Sequence, residues 1–183
     1  ADYKGAIKVT DAVNAADLET INDATEGKVT LTKVSEPLSG DYATITAALD
    51  GITGYKGAIT LSDAANDAPA NINAVAKLTT GKLTATLDDT TTEITDATVT
   101  ALKDVNTKDT ITFVATDTTA DATALLALSK LIPTATFANV EGITEDASQI
   151  GTGATNVINA LNKLNNGDTD VTLTGTVSVA NVK

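Results

Sequence analysis

The chain has 183 residues, 42% of them hydrophobic, with 12 lysines, no arginine and 24 acidic residues for a net charge of -12. It has no His, Cys, Met or Trp, which excludes Ser-His and Cys-His nucleophiles, ordinary zinc, haem and iron–sulfur sites, and disulfides. The negative charge argues against nucleic acid and anionic membrane surfaces as partners, and no apolar run approaches the ~18 residues that membrane insertion requires.

In chain order, short strands alternate with helical stretches. Ile7-Lys8-Val9 has the period-2 pattern of a strand. Leu18 and Ile21 then share a helix face, with Asn14 as N-cap and Gly27 closing the unit. Val29-Thr30-Leu31 is the second strand, followed by a helix carrying Ile45, Leu49 and Ile52, capped by Ser39 and closed by Gly54. Strand Ile59–Leu61 leads to a helix with Ile72, Val75 and Leu78, with Asn66 as its cap ahead of Pro69 and Gly81 behind it. Strand Leu83–Leu87 leads to a helix with Val99, Leu102 and Val105, capped by Thr95. Strand Ile111–Phe113 leads to a helix with Leu125, Leu128 and Leu131, capped by Thr118 and ended by Pro133. A weaker strand at Thr136–Ala138 and a stretched segment around Ile143–Gly153 precede a helix with Val157, Leu161 and Leu164, which has Thr152 as cap and Gly167 as stop. The chain finishes on a strand region, 171–182.

Strand starts at Ile7, Ile59 and Ile111 are 52 residues apart, and those at Val29 and Leu83 are 54 apart. A short and a long unit therefore alternate in a double repeat of about 52 residues. Strand, loop, helix and strand in one sense mean parallel strands with right-handed crossovers. The expected fold is α/β: a solenoid of stacked strand–loop–helix units forming one repeat domain over 1–183. A doubly wound single sheet is another reading of the same strand–helix alternation, and the fixed period favours the solenoid over it. An all-β solenoid or sandwich is the main alternative, because Thr, Val and Asn are poor helix formers. The region 171–182 is strongly β-forming and lacks a polar cap, so Val171, Leu173, Val177 and Val179 are the candidate assembly residues. One subunit's terminal strand completes the next subunit's sheet in that reading.

Thr is the commonest residue, at 35, and it occupies alternate strand positions. Thr30, Thr32, Thr84, Thr86, Thr172 and Thr174 mark the three Thr-x-Thr strands, with Thr60, Thr112 and Thr136 beside them. Thr suits a wet sheet face on β-propensity alone. The same face can also serve as an ordered hydroxyl array or as a platform for O-linked sugar. Among acidic loops, Asp88, Asp89 and Glu93 are the best candidates for weak Ca²⁺ binding, since hard carboxylate oxygens suit that ion. Asp63 with Asp67, and Asp168 with Asp170, are lesser clusters, and solvated turns and caps account for most such residues. A carboxylate-only glycosidase lacks aromatic subsites here, with five aromatics in the whole chain, so no enzyme is expected. Phe113 and Phe137 fall at core positions of their strands.

The segment Ile59–Leu78, Ile-Thr-Leu-Ser-Asp-Ala-Ala-Asn-Asp-Ala-Pro-Ala-Asn-Ile-Asn-Ala-Val-Ala-Lys-Leu, resembles the strand–Ser/Thr-Asp-Ala-Ala-Asn–helix repeats of very large exported bacterial surface proteins. These are S-layer-like, adhesin-like and type I-secreted chains. Thr10-Asp11 and Ala115-Thr116-Asp117 look like worn copies of that motif. The resemblance implies an extracellular, often Ca²⁺-dependent structural or adhesive role, although the Gly/Asp nonapeptides that bind Ca²⁺ in such chains are missing.

The function expected is that of an extracellular structural repeat protein forming a surface layer or filament. Its partner is then itself, as a homo-polymer, or further repeats of its own chain. The alternative is an adhesin or ice-binding module that uses the Thr face.

Overall fold

A computed structural model of the chain describes residues 3–62, 68–87, 95–114, 119–138, 140, 142–146 and 170–174. The described elements run β1 (Ile7–Val9), α1 (Ala15–Asp23), β2 (Val29–Leu31), β3 (Leu38–Gly40), α2 (Tyr42–Ala48), β4 (Ile59–Leu61), α3 (Pro69–Leu78), β5 (Leu83–Leu87), α4 (Asp96–Ala101), β6 (Thr110–Val114), β7 (Thr119–Asp121), α5 (Ala122–Leu131), β8 (Thr136–Ala138), β9 (Gly142–Asp146) and β10 (Asp170–Thr174). Every strand pairing among them is parallel. The five-stranded sheet has the order β3-β4-β5-β6-β8, beside a pair β1-β2 and a three-stranded sheet β10-β9-β7.

Parallel neighbours need a crossover, and the helices supply it. Helix α2 joins β3 to β4, α3 joins β4 to β5, α4 joins β5 to β6, and α5 lies between β6 and β8. Each helix packs against the next one in sequence, from α1 through α5. The fold is mixed α/β with parallel strands, and its five helices exclude the all-β alternative.

The seven strands expected from alternation are present where they are described, the last as Asp170–Thr174, while 175–182 lie outside the described residues. Three others, β3, β7 and β9, carry little alternation to announce them. Leu38-Ser39-Gly40 and Thr119-Ala120-Asp121 contain residues of low strand propensity, and the ladders to β4 and β9 hold them extended. This displaces two expected caps. Ser39 lies in β3, and Asp41 caps α2 by accepting the Thr44 N–H at 2.7 Å. Asp121, not Thr118, caps α5 by accepting the Ala124 N–H at 2.8 Å. Asn14 and Thr95 cap α1 and α4 as expected. Helix α3 opens on Ala68 and Pro69 with no side-chain cap. Asn66, Thr118 and Thr152, and the helix expected around Val157–Leu164, lie outside the described residues.

Two helices stop sooner than their periodicity suggests. Helices α2 and α4 end at Ala48 and Ala101, so Leu49 and Leu102 are C-cap residues, and both are fully buried. Thr44, Thr46, Thr98 and Thr100 weaken these helices. Beyond α2, Gly51 (φ 68°) and Gly54 (φ 76°) take the left-handed conformation that turns the chain back toward β4.

The alternating apolar residues face the helices. Ile59 pairs with Leu83, Ala85 with Ile111 and Leu87 with Phe113. Against this layer lie Ile45, Ile72, Val75, Leu125 and Leu128, all fully buried. Burial of each large side chain contributes about 1.5–3 kcal/mol. The buried apolar residues form one contiguous cluster from Val9 to Ile143. Phe113 and Phe137 stack across β6 and β8 with centroids 5.1 Å apart, which places both in the packing role expected of them.

The same local joint is built twice along the chain. Tyr3-Lys4-Gly5-Ala6-Ile7 recurs unchanged as Tyr55-Lys56-Gly57-Ala58-Ile59, and Thr25-Glu26-Gly27-Lys28-Val29 recurs as Thr79-Thr80-Gly81-Lys82-Leu83. The Thr25 hydroxyl donates to Gly5 O (2.9 Å) and accepts the Gly27 N–H (2.9 Å). The Thr79 hydroxyl does the same with Gly57 O (2.7 Å) and the Gly81 N–H (2.7 Å). A side chain on Gly27 or Gly81 would run into the Gly5 or Gly57 carbonyl, so the backbones touch there.

The third copy is altered. Asp109 stands where the first two have glycine, and Thr134 donates to Asp109 O at 2.5 Å. The buried Asp109 carboxylate accepts the N–H groups of Leu83 (2.8 Å) and Asn106 (2.9 Å).

The helix layer repeats its joint too. The Asn22 side chain donates to Ala47 O (2.8 Å) and Asp50 O (3.0 Å) at the end of α2. Asn73 of α3 donates to the Asp104 carboxylate (2.9 Å) and accepts the Asp104 N–H (2.7 Å) beyond α4.

Replacing Thr79 by the near-isosteric Val removes both partners of its hydroxyl and leaves buried polar groups unpaired. Thr79→Val is expected to cost about 1–3 kcal/mol, measured as a lower urea midpoint with unchanged circular dichroism.

Candidate functional site

Two surfaces remain once core and joints are assigned: a hydroxyl-bearing sheet face and the open strand edges. On β4, β5 and β6 the residues alternating with the buried apolar ones are threonines, apart from Val114 at the end of β6. The register places Ser39, Thr60, Thr84 and Thr110 in one row across β3, β4, β5 and β6. A second row runs Thr86, Thr112 and Thr136 across β5, β6 and β8. Strands lie ~4.8 Å apart, and alternate residues along a strand ~6.6 Å apart. Thr84, Thr86, Thr110 and Thr112 thus mark the corners of a small, regular grid. Thr60 is exposed, and the four corner residues are half-buried.

The six threonines singled out by the Thr-x-Thr pattern do not share one surface. Thr84 and Thr86 belong to the five-stranded sheet. Thr30 lies in β2, which pairs with β1, and Thr32 follows it with its N–H on Val9 O at 2.9 Å. Thr172 and Thr174 lie in β10, opposite Thr144 and Asp146 of β9. The row is instead completed by Thr110, which lies one residue before the expected start of β6 at Ile111. A longer strand reading there would have found it, because Thr110-Ile111-Thr112 is itself Thr-x-Thr.

The assembly residues Val171 and Leu173 sit in β10, paired with Ile143 and Glu145 of the same chain. This segment therefore completes a sheet within its own chain, and β10 lies at the edge of that sheet. Val177 and Val179 lie outside the described residues, as do Asp63, Asp67, Asp88, Asp89, Glu93 and Asp168. Among the described residues no group of three or more His, Cys, Asp or Glu side chains could hold a metal ion. Among them, too, no helix is long and apolar enough to cross a membrane. A shallow hollow of about 420 Å³ beside α5, lined by Asn106, Thr107, Ala127, Lys130 and Leu131, brings together no acid–base pair.

The sequence reading missed Tyr55, which anchors the edge between β3 and β4. Its ring is 2% exposed, and its hydroxyl donates to Glu36 O. The flanking ladder is Lys56 N–H to Val34 O (2.7 Å) and Leu38 N–H to Ala58 O (2.9 Å). Tyr3, at the same place in the first copy of the pentapeptide, is 56% exposed. The verbatim Tyr-Lys-Gly-Ala-Ile repeat was the available signal for both.

Among the described residues three groups titrate away from their ordinary values. Burial, and then the nearby Glu36 carboxylate, push the Tyr55 phenol up to about 12. The Thr44 N–H holds the Asp41 carboxyl below the usual carboxylate range. The Asn73 amide, assisted by Lys77 at 3.3 Å, does the same for Asp104.

For Tyr55 the folded state keeps the proton that the unfolded state loses near 10. Its contribution to stability is thus present below pH 10 and lost as pH rises from 10 to about 12. Urea midpoints across that window are expected to fall less steeply in Tyr55→Phe than in the parent, and the parent's tyrosinate absorbance step near 12 should vanish in the variant. Comparison of the chain with protein-family models, curated proteins and solved structures finds no match.

Proposed function

We propose that the chain is an extracellular structural repeat protein whose strand–helix units stack as an α/β solenoid and assemble into a surface layer or filament. The observation that carries this reading is the twice-built joint: the same pentapeptide, hydroxyl latch and glycine contact join β1 to β2 and β4 to β5. Sequential strand order in the five-stranded sheet supports stacking of units, because each unit meets the next one in the chain. Among the described residues the outer edges of β1 and β10 carry no neighbouring strand, and such edges favour addition of a further strand. A composition free of His, Cys, Met and Trp and the resemblance of Ile59–Leu78 to exported repeat proteins support a place outside the cell.

The purified chain is expected to form ordered filaments or sheets in negative-stain electron microscopy as concentration rises. A net charge of -12 opposes this by repulsion, so salt and Ca²⁺ should both promote it, and Ca²⁺ more so if Asp88, Asp89 and Glu93 bind the ion. A monodisperse monomer at every concentration of protein and Ca²⁺ would argue decisively against assembly.

A second reading is favoured by one observation, the in-register hydroxyl rows. A rigid grid of Thr methyl and hydroxyl groups can match a regular partner surface such as ice or a packed polysaccharide, which makes this an adhesin or ice-binding face. Replacing Thr84 and Thr86 together by Lys is expected to abolish adsorption to ice or polysaccharide while leaving circular dichroism unchanged. Equal adsorption by parent and variant would remove the hydroxyl grid from consideration.

A further inference from the structure

The two copies of the strand joint differ in charge. In the first, Glu26 pairs with Lys4 at 3.9 Å. In the second, Lys56 stands in the place of Lys4, and Thr80 in the place of Glu26. Lys56 therefore lacks that carboxylate. Two further lysines reach the same spot. The pairing of Ile59 with Leu83 sets Lys56 beside Thr80, whose N–H donates to Tyr55 O at 3.1 Å. Lys82 lies two residues beyond Thr80, and its carbonyl accepts the Ile59 N–H at 2.8 Å. The Lys108 ammonium crosses from the turn before β6 and donates to Thr80 O. Lys56, Lys82 and Lys108 are all exposed, and none of them forms an ion pair among the described residues. The nearby Asp109 carboxylate is buried on the N–H groups of Leu83 and Asn106. Glu36, before β3, pairs with none of the three lysines.

These cations border the hydroxyl rows. Lys82 alternates with buried Leu83 and so shares the outward side of β5 with Thr84 and Thr86. Thr84 lies opposite Thr110, which stands two residues after Lys108. The chain carries 24 acidic residues, yet no Asp or Glu occurs in β1 to β6 or in β8. A hydroxyl face with a cationic margin is thus set into a chain that is negative as a whole. At physiological salt, repulsion from the remaining charge is screened within about 8 Å, so a bound polymer responds to the face it touches.

We propose that Thr60, Thr84 and Thr110, with the margin Lys56, Lys82 and Lys108, form a docking surface for a linear polysaccharide that carries carboxylate or sulfate groups. This inference rests on the adhesive reading of the sheet face and names its partner. The lysines hold the anionic groups by charge, and the threonines meet the sugar hydroxyls beside them. Cations spread over adjacent strands ~4.8 Å apart suit an extended polymer better than a single small anion. Nucleic acid fits this face poorly. The chain has no Arg for bidentate phosphate contacts, and the rings of Phe113 and Phe137 stack on the core side, where no base can lie on them.

The test is affinity electrophoresis of the intact chain in gels containing alginate, which is a polyuronate, or neutral dextran, each referred to a polymer-free gel. Alginate is expected to retard the parent, dextran is not, and high salt should abolish the retardation. The triple variant Lys56→Gln, Lys82→Gln, Lys108→Gln should bind alginate about tenfold or more weakly with an unchanged circular dichroism spectrum. The same charge change at the helix ends, Lys77→Gln, Lys103→Gln, Lys130→Gln, should weaken it by no more than about twofold. If the first triple variant binds as the parent does while Thr84→Val with Thr110→Val loses binding, the lysine margin is wrong and the adhesive reading stands. Equal losses in the two triple variants would show attraction without a local site and overturn the proposal. Retardation by single-stranded DNA as strong as that by alginate would overturn the choice of polysaccharide. Loss of self-association in the first triple variant, with no alginate binding by the parent, would assign the face to contact between copies instead. If the parent binds none of these polymers and does not adsorb to ice, both the proposal and the adhesive reading are wrong.

Discussion

Close contact between backbones at the start of each unit is the constraint on which the described structure depends. Gly27 and Gly81 let two chain segments approach until only hydrogen fits between them, and the Thr25 and Thr79 hydroxyls bridge the polar groups brought together there. That contact sets the register Ile7 with Val29 and Ile59 with Leu83. A slip of one residue would turn the buried apolar residues of these strands to solvent. Register in turn aligns the threonines on the far face, so the hydroxyl rows and the apolar layer are two results of one placement. The helices add a second, weaker restraint, through Asn22 and Asn73 reaching the ends of the following helices.

The third copy shows how much the joint tolerates. Where the glycine becomes Asp109, the carboxylate takes over by accepting two backbone N–H groups, and a threonine hydroxyl still bonds the carbonyl of that residue. The bond from a threonine hydroxyl to that carbonyl persists, and the rest of the joint is rebuilt around the carboxylate. Further along the same two strands, Phe113 and Phe137 stack across β6 and β8. Several of the buried polar groups of this scaffold join one strand or helix to the next.

The strands with Φ-Thr-Φ alternation, where Φ is apolar, were legible because one face is apolar and the other wet, and the 52-residue period was legible because Ile7 and Ile59 begin equivalent strands. Strands β3, β7 and β9 were not, because their extended form comes from a neighbouring ladder and not from their own residues. The caps Asp41 and Asp121 were missed for the same reason: an unforeseen strand moved each helix start along the chain. On the candidate surfaces, the pattern Thr-x-Thr identified threonines but not their neighbours, since adjacency across a sheet depends on strand order. Thr30 and Thr84 look alike in sequence and lie in different sheets. Tyr3 and Tyr55 were written identically, and only their surroundings distinguish a buried ring from an exposed one.

The described pairings also share a scale. Ile7 meets Val29, Leu38 meets Ile59, Thr84 meets Thr110 and Ile143 meets Val171, so each ladder closes a loop of roughly two dozen residues and none waits for a distant segment. A chain wired this way can acquire structure in the order in which it is delivered. Each unit finds its neighbour as soon as that neighbour arrives, whether from a ribosome or from a narrow export channel, and the part already delivered becomes the template for the part still to come. Growth of the fold and growth of the proposed filament are then the same event, repeated first within one chain and afterwards between chains.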